Sequence, residues 1–190
     1  SPYACLGVLP QDKKFGGETT YVEIGDNNDF REYCTVHAAT GDGEKTRVGS
    51  DNLLMAYVHI AHNCHIHDGT VLANAVNLAG HVEVEPNAII GGLTPVHQFV
   101  RIGKLAFVGG ASRLSQDVPP FVKVAGNPVE VAGINSIGLK RNGFTEDDLR
   151  NLRQAYRLLY RSGLNVTQAL DKIATNCELS GHIEELMAFI

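Results

Sequence analysis

Histidines are the residues of this chain best suited to chemistry, because they are clustered. Seven of the eight lie between His37 and His97, and five of these lie between His59 and His81. A neutral imidazole can remove a proton from a hydroxyl group near neutral pH. The cluster therefore suggests a general-base site, provided that the fold brings the imidazoles together.

A six-residue repeat predicts the elements that position these histidines. Every sixth residue from Val48 to Leu114 is Val, Leu or Ile, a period that neither a helix nor a strand alternation produces. Three short strands, each with one inward aliphatic residue, would close a triangular coil of about eighteen residues. The predicted fold is a β-solenoid with charged, glycine-bearing loops near residues 10–20 and 37–47, which either carry binding or are simply solvated.

The coil length predicts which residues stack. Residues about eighteen apart lie on adjacent coils, about 4.8 Å from each other. His62, Gly80 and Gln98 share one such column, and His81 and His97 lie in the two columns beside it. A glycine lets a substrate carbonyl approach a backbone N–H that stabilises an oxyanion. We therefore predict a general base beside an oxyanion donor; the alternative is that these histidines are ordinary outward residues of the strands.

A zinc site is a second alternative for the cluster. It would use His59, His62 and His65, but a solenoid turns these three positions in different directions around the coil. We therefore predict no metal ligands.

The repeat stops at Asp117–Pro120. We predict a solenoid over residues 1–118, followed by a connection and a small α-helical part over residues 119–190. Thr145 and Asp148 have the spacing of a helix capping box, and further helices are predicted near residues 167–174 and 181–190. Because the chain opens within its pattern and ends without a polar tail, we expect it to be a piece of a longer protein.

Composition and charge argue against several classes of protein. The formal net charge of −5 argues against nucleic-acid binding. No stretch approaches the roughly twenty apolar residues of a transmembrane segment, no signal peptide is visible, and the expected location is the cytoplasm. The four cysteines have no paired motif, which predicts buried free thiols and not disulfides or metal ligands.

Four arginines follow one another at spacings of three, four and four residues: Arg150, Arg153, Arg157 and Arg161. This spacing places them in one stripe of the first predicted long helix, beside its apolar face. An acidic partner could dock there; the alternative is an ordinary solvated helix face.

Several segments closely resemble the UDP-N-acetylglucosamine acyltransferase family. They are Val48–Met55, His59–Cys64, Leu78–Val82, Ile89–Phe99, Gln116–Pro120 and Gly138–Arg141. The resemblance implies a left-handed parallel β-helix that forms homotrimers with active sites between subunits. It also implies transfer of an (R)-3-hydroxyacyl group from acyl carrier protein to the 3-hydroxyl of UDP-N-acetylglucosamine, the first step of lipid A biosynthesis. The resemblance further implies a reaction without a metal and without any cofactor other than the 4′-phosphopantetheine of the donor.

The resemblance also implies roles for individual residues. His62 would be the general base, and the Gly80 N–H would be the oxyanion donor. The residues implied in substrate binding are Asp12, Lys14, His59, His81, His97, Gln98, Asn135 and Arg141. Of these, Asp12 suits the acyl 3-hydroxyl, while Asn135 and Arg141 suit the acyl-carrier arm and the nucleotide phosphates. The arginine stripe becomes a docking surface for acyl carrier protein.

The chain departs from the family pattern beside the base, where Asn63 replaces a frequent Asp. An amide can orient the imidazole but cannot raise its pKa as a carboxylate would. Asn142 likewise stands where a second arginine is common, so nucleotide contact there would be weaker.

Acyl length is expected to depend on Phe107, which could shorten the cleft, and on Gly110, which permits a longer chain; the sequence does not decide between them.

Three other functions compete with this reading. They are a zinc-dependent β-helix hydratase, a noncatalytic hexapeptide scaffold, and the related N-acyltransferase, whose acceptor is an amine. The Val96–Phe99 and Gly138–Arg141 segments favour the O-acyltransferase.

Overall fold

The computed structural model describes all 190 residues. Seventeen short strands come first: β1 (Cys5–Val8), β2 (Tyr21–Ile24), β3 (Asp29–Phe30), β4 (Thr35–His37), β5 (Lys45–Val48), β6 (Leu53–Leu54), β7 (His59–Ile60), β8 (His65–Ile66), β9 (Val71–Leu72), β10 (Asn77–Leu78), β11 (Glu83–Val84), β12 (Ile89–Ile90), β13 (Pro95–Val96), β14 (Arg101–Ile102), β15 (Phe107–Val108), β16 (Val122–Ala125) and β17 (Glu130–Ile134). Four helices follow: α1 (Ser136–Arg141), α2 (Glu146–Tyr160), α3 (Val166–Asn176) and α4 (Gly181–Phe189).

The strands form three sheets that run along a solenoid. The first sheet has the order β1-β4-β7-β10-β13, the second β14-β11-β8-β5-β2, and the third β17-β16-β15-β12-β9-β6-β3. Each strand from β4 to β12 pairs in parallel with the strand three places further along the chain. Asn77, for example, lies between His59 and Pro95. The predicted β-solenoid and its eighteen-residue coil are confirmed.

The aliphatic repeat forms the core of the solenoid. All its members from Val48 to Leu114 are at most 3% exposed, and they belong to one cluster of 24 buried residues. Burial of each such side chain contributes about 1.5–3 kcal/mol, so the repeat itself stabilises the coil. The four cysteines are free thiols, as predicted, but Cys5 is exposed. Burial raises the pKa of the Cys64 thiol to about 12, which keeps it protonated and unreactive.

The last coil continues across the predicted division at residue 119. Strand β16 pairs in parallel with β15, and β17 then returns antiparallel to β16, so the third sheet runs on to residue 134. The division itself stays a prediction. The sequence interpretation missed β17 and the short helix α1, because each contains a glycine, Gly133 or Gly138, and the Gly126–Pro128 segment before them is typical of a connection.

The helical part packs around its own core. The capping box predicted at the start of α2 is present: Thr145 Oγ1 accepts from the Asp148 N–H, and Asp148 Oδ2 accepts from the Thr145 N–H. Apolar residues of the helices surround Phe121 in a second buried cluster. At the second sheet, Lys104 forms an ion pair with Glu185 of α4 at 3.1 Å. None of the four helices combines the length and apolar character needed to cross a bilayer.

Candidate active site

His62 and Asn63 form the centre of the site, at the corner between β7 and β8. His62 Nδ1 lies 2.9 Å from Asn63 Oδ1. Two bonds to one residue orient the amide: Oδ1 accepts from the Thr40 N–H at 2.9 Å, and Nδ2 donates to the Thr40 C=O at 3.0 Å. Because the amide oxygen faces the imidazole, Nδ1 of the neutral ring carries the proton. Nε2 is therefore left with its lone pair, as a general base requires.

The backbone of Asn63 is as closely fixed as its side chain. Its φ is +58°, a left-handed conformation that Asn adopts more readily than most residues. Its N–H donates to Thr46 Oγ1 at 2.9 Å. Thr40 and Thr46 thus hold the residue that orients the base. The sequence interpretation missed both: Thr40 lies in an interrupting loop, which the repeat does not place, and Thr46 lies on β5, where the repeat specifies a small side chain but no partner for it.

Gly80 lies on the next coil, directly against the His62 ring, as the column arithmetic predicts. A Cβ at residue 80 would lie 2.5 Å from His62 Cε1 and 2.6 Å from Nε2, well inside van der Waals contact. Gly80 is buried, and its N–H donates to no other group of the chain. A free backbone donor therefore lies beside the basic nitrogen, where a carbonyl oxygen could accept from it.

His81 contacts the base, and His59 contacts another histidine of the cluster. The His81 ring meets His62 edge-on, with centroids 5.2 Å apart, and stacks on Phe99 at 4.6 Å. His59 lies edge-on to His37 at 4.9 Å. Burial is the main cause that lowers the pKa of both His81 and His59, and the positive charge that His62 or His37 would carry lowers each pKa further. Both rings are accordingly neutral at pH 7 and can donate or accept hydrogen bonds.

His97 and Gln98 are exposed on the third coil of the columns. His97 Nδ1 lies 3.0 Å from the Gln98 C=O, so this nitrogen donates to the backbone and leaves Nε2 as an acceptor. Both side chains lie where a ligand bound at the stacked histidines would reach them. Their role in binding stays a prediction.

The first loop brings a carboxylate to the base. Asp12 Oδ2 lies 4.0 Å from His62 Nε2. The Lys14 N–H donates to Asp12 Oδ1 at 3.0 Å and is the main cause that lowers the pKa of Asp12, to which the facing His62 adds. Asp12 is therefore ionised at neutral pH and supplies, from the loop, the negative charge that Asn63 lacks.

Glu18 connects the two loops, and the sequence interpretation missed it. Its carboxylate accepts from the Gly16 N–H at 2.7 Å and from the Gly41 N–H at 2.8 Å. These backbone donors lower the pKa of Glu18, with Gly41 as the largest cause. Glu18 thereby holds the loop that carries Asp12 against the loop that carries Thr40. The signal available in the sequence was a carboxylate directly after two glycines, Gly16 and Gly17.

We expect Glu18→Gln to loosen the first loop. An amide NH₂ cannot accept from a glycine N–H, so one of the two bonds is lost. Trypsin should then cleave after Lys13 or Lys14 several-fold faster than in the parent protein, as followed by mass spectrometry. Glu23→Gln, on the second sheet, is the matched control and should leave the cleavage rate unchanged. Equal rates in all three proteins would show that Glu18 does not restrain the loop.

The predicted alternative, a zinc site at His59, His62 and His65, has no support in the structure, because these three side chains do not converge. His65 lies on β8, where its ring stacks on His67 with centroids 3.9 Å apart. The one group of three metal-binding side chains with donor atoms within 4.8 Å of one another is His65, His67 and Glu83, and it shares no contact with the His62 imidazole.

Comparison with known proteins identifies two family models in the chain. A family model described as UDP N-acetylglucosamine O-acyltransferase, domain 2, matches residues 117–190, and one described as bacterial transferase hexapeptide, six repeats, matches residues 45–80. The acyl-[acyl-carrier-protein]–UDP-N-acetylglucosamine O-acyltransferase of Herminiimonas arsenicoxydans is 45% identical, over 99% of this chain and 74% of that protein. The chain belongs to the UDP-N-acetylglucosamine O-acyltransferase family.

Other members of the family agree in sequence and fold. The relative from Gloeothece citriformis is 51% identical over 90% of this chain, but the chain spans only 62% of that protein's length. The UDP-N-acetylglucosamine acyltransferase from Bacteroides fragilis superposes with a TM-score of 0.98, at 41% identity, over 100% of this chain and 74% of its own. The left-handed β-helix that the resemblance implied is thereby confirmed.

The remaining predicted substrate residues lie apart from the histidines. Phe107, Asn135 and Arg141 line a cavity of about 300 Å³ at the third sheet, and none of the site histidines lines it. Gly110 is exposed at the corner that follows β15. The Asn135 side chain caps α1: Oδ1 accepts from the Gly138 N–H at 3.1 Å, and Nδ2 donates to the Leu105 C=O at 3.0 Å. A single copy of this family member therefore holds two separate groups of predicted site residues.

The arginine stripe on α2 is uneven. Arg150 is ion-paired with Asp147 at 2.6 Å, and Arg153 is half-buried. Arg157 and Arg161 are exposed, and Arg161 Nε donates to Tyr156 Oη at 3.3 Å. The positive surface is thus concentrated at the C-terminal end of the helix.

Proposed function

We propose that this chain transfers an (R)-3-hydroxyacyl group from acyl carrier protein to the 3-hydroxyl of UDP-N-acetylglucosamine, the first step of lipid A biosynthesis. The observation that carries the proposal is the His62 lone pair at Nε2, held beside the free Gly80 N–H. The names of the relatives support the acyl donor and the sugar-nucleotide acceptor.

The reaction follows from these groups. His62 Nε2 removes the proton of the 3-hydroxyl while the hydroxyl oxygen attacks the thioester carbonyl. The Gly80 N–H donates to the oxyanion of the tetrahedral intermediate. The intermediate then expels the pantetheine thiolate, which takes the proton from the imidazolium. Asn63 holds the ring through Nδ1–H, and the Asp12 carboxylate stabilises the imidazolium. The 4′-phosphopantetheine belongs to the donor, and the protein needs no cofactor of its own.

A homotrimer would unite the two groups of site residues. The outward positions of four neighbouring strands of the third sheet, β6, β9, β12 and β15, are apolar and half-buried: Leu53, Val71, Ile89 and Phe107. Tyr3, Tyr33 and Tyr57 stack along the adjoining edge with centroids about 5 Å apart. Four successive apolar side chains on the outward face of one sheet favour contact with another copy. The cavity at Phe107, Asn135 and Arg141 would then complete the histidine site of the neighbouring copy.

Acyl carrier protein would dock at the C-terminal end of α2, where Arg157 and Arg161 are exposed. Acyl carrier proteins are acidic, so the two guanidinium groups provide complementary charge for its approach. The donor and the UDP-sugar are both cytoplasmic metabolites, and we place the reaction in the cytoplasm for that reason.

A transfer assay tests the proposal. The protein is incubated with 3-hydroxyacyl carrier proteins of several chain lengths, with either UDP-N-acetylglucosamine or its 3-amino-3-deoxy analogue as acceptor. We expect an ester product with UDP-N-acetylglucosamine. Product from the amine alone would instead indicate an N-acyltransferase, and no product from a folded trimer would reject acyl transfer. Longer acyl chains accepted by Phe107→Ala would identify Phe107 as the limit on chain length.

The pH dependence of transfer should reveal the part played by Asn63. In Asn63→Asp a carboxylate replaces the amide beside His62 Nδ1 and raises the imidazole pKa by about one unit. Because only the neutral ring acts as a base, the acid limb of the kcat/KM profile moves to higher pH by the same amount. Asn77→Asp makes the same charge change on the outward face of β10 and should leave the limb in place. An acid limb unchanged in Asn63→Asp would contradict the orienting role of the amide.

A further inference from the structure

Three metal-binding side chains converge on the second sheet. His65 and His67 lie two residues apart on and beside β8, with the inward Ile66 between them, and Glu83 on β11 pairs directly with His65. His67 Nε2 lies 3.0 Å from Glu83 Oε1, and the donor atoms of all three side chains lie within 4.8 Å of one another. All three are half-buried, so an ion could reach them from solvent.

We propose that His65, His67 and Glu83 bind one divalent transition-metal ion, such as Zn²⁺, through two imidazole nitrogens and one carboxylate oxygen. Imidazole and carboxylate are common ligands of Zn²⁺ at about 2.0–2.2 Å. Tetrahedral bonds of that length place ligand atoms about 3.4 Å apart, a separation that small side-chain rotations reach from the present one. Water fills the remaining coordination position.

The neighbouring cations leave these donors accessible. Arg101 is held elsewhere: its NH2 donates to Glu85 Oε1 at 3.2 Å, and its guanidinium lies 4.2 Å from the centroid of the Phe189 ring. Its Nε is 3.6 Å from Glu83 Oε2, too far for a hydrogen bond. Arg47 Nε donates to Glu23 Oε2 at 3.2 Å. Each guanidinium thus has a hydrogen-bonded carboxylate other than Glu83.

The imidazoles are suited to the role as well. Ligation requires that both rings be unprotonated, and both are half-buried, so each can release its proton to solvent as the ion binds. His67 loses only its hydrogen bond to Glu83 when the metal takes the place of the proton. The ion would connect β8 to β11 on the next coil. Because it binds only the folded coil, it would raise the melting temperature.

Titration of metal-free protein with zinc chloride, followed by calorimetry and X-ray absorption, tests the site. We expect one Zn²⁺ per chain with two imidazole nitrogens in its shell, and a rise in Tm with zinc. His67→Ala and Glu83→Gln should each weaken binding at least about tenfold, since the loss of an outer-shell partner alone costs about 10–100-fold, and should abolish the rise in Tm.

His62→Ala is the control, because it removes the other histidine cluster from competition and should leave the affinity unchanged. Zinc binding that is lost in His62→Ala but kept in His67→Ala would overturn the proposal, as would no binding by the parent protein. The experiment needs no acyl donor, so its outcome is independent of the proposed acyl transfer.

Discussion

Replacement of His62 by glutamine should lower kcat for acyl transfer by about 10²–10⁴-fold, the usual contribution of a general base. Glutamine fills much of the space of the ring over Gly80 and keeps a polar end, but it cannot take up the hydroxyl proton. KM for UDP-N-acetylglucosamine should change little, because the loss concerns the transition state. The measurement is the steady-state rate over a range of pH.

The pH profile separates this effect from general damage to the site. The residual rate of His62→Gln should lack the acid limb that deprotonation of the imidazole gives the parent enzyme. His67→Gln, on the second sheet, makes the same chemical change away from the site and should keep the parental rate. If His62→Gln keeps its acid limb and most of its rate, another group is the base, and His81, 5.2 Å away between ring centroids, is the first to replace.

Gly80→Ala should be nearly as damaging, although it adds a single methyl group. The new Cβ would lie 2.5 Å from His62 Cε1 and 2.6 Å from Nε2, so the imidazole must move. The backbone cannot easily yield instead, because the Phe99 N–H donates to the Gly80 C=O at 3.1 Å. A displacement of about 1 Å costs about 10²-fold in rate, and we expect kcat to fall by at least that factor.

Two controls distinguish displacement of the ring from loss of the coil. Gly181→Ala adds a methyl group with no atom within 4 Å and should be fully active. The double variant His62→Ala/Gly80→Ala should be no slower than His62→Ala alone, because the ring that alanine would displace is already gone. A further loss in the double variant would show that the methyl group acts on the oxyanion donor itself. Full activity of Gly80→Ala would mean that the imidazole does not lie over residue 80.

The fold and the centre of the site could be predicted from the sequence because parallel coils have a fixed register. Once the aliphatic anchors define a coil of eighteen residues, Gly80 must stack on His62, and His81 on Asn63. The same register places Glu83 beside His65 on the next coil. The sequence interpretation did not combine this pair with His67, which follows His65 by two residues along the chain. The arithmetic holds for the His62 column because the pairings of β7 with β10 and of β10 with β13 contain no bulge.

The loops follow no such rule. Asp12, Glu18 and Thr40 lie in segments that leave the repeat, so their positions depend on hydrogen bonds between loops, which the period does not encode. Nothing in the repeat places a carboxylate 4.0 Å from His62 Nε2, and at Asn63 the sequence indicates only a residue that orients the base without charging it. In the structure Asp12 lies near enough to provide the charge that the Asn63 amide lacks.

The solenoid, its inward anchors and the column of His62 and Gly80 could be predicted without a structure, since all three depend on repetition along one chain. The basic nitrogen of His62 could be assigned only in three dimensions, because the Thr40 backbone orients the amide of Asn63. The structure also shows that Phe107, Asn135 and Arg141 lie away from the histidines of the same copy. A triangular coil turns its sheets in three directions, and spacing along the chain does not tell which directions meet.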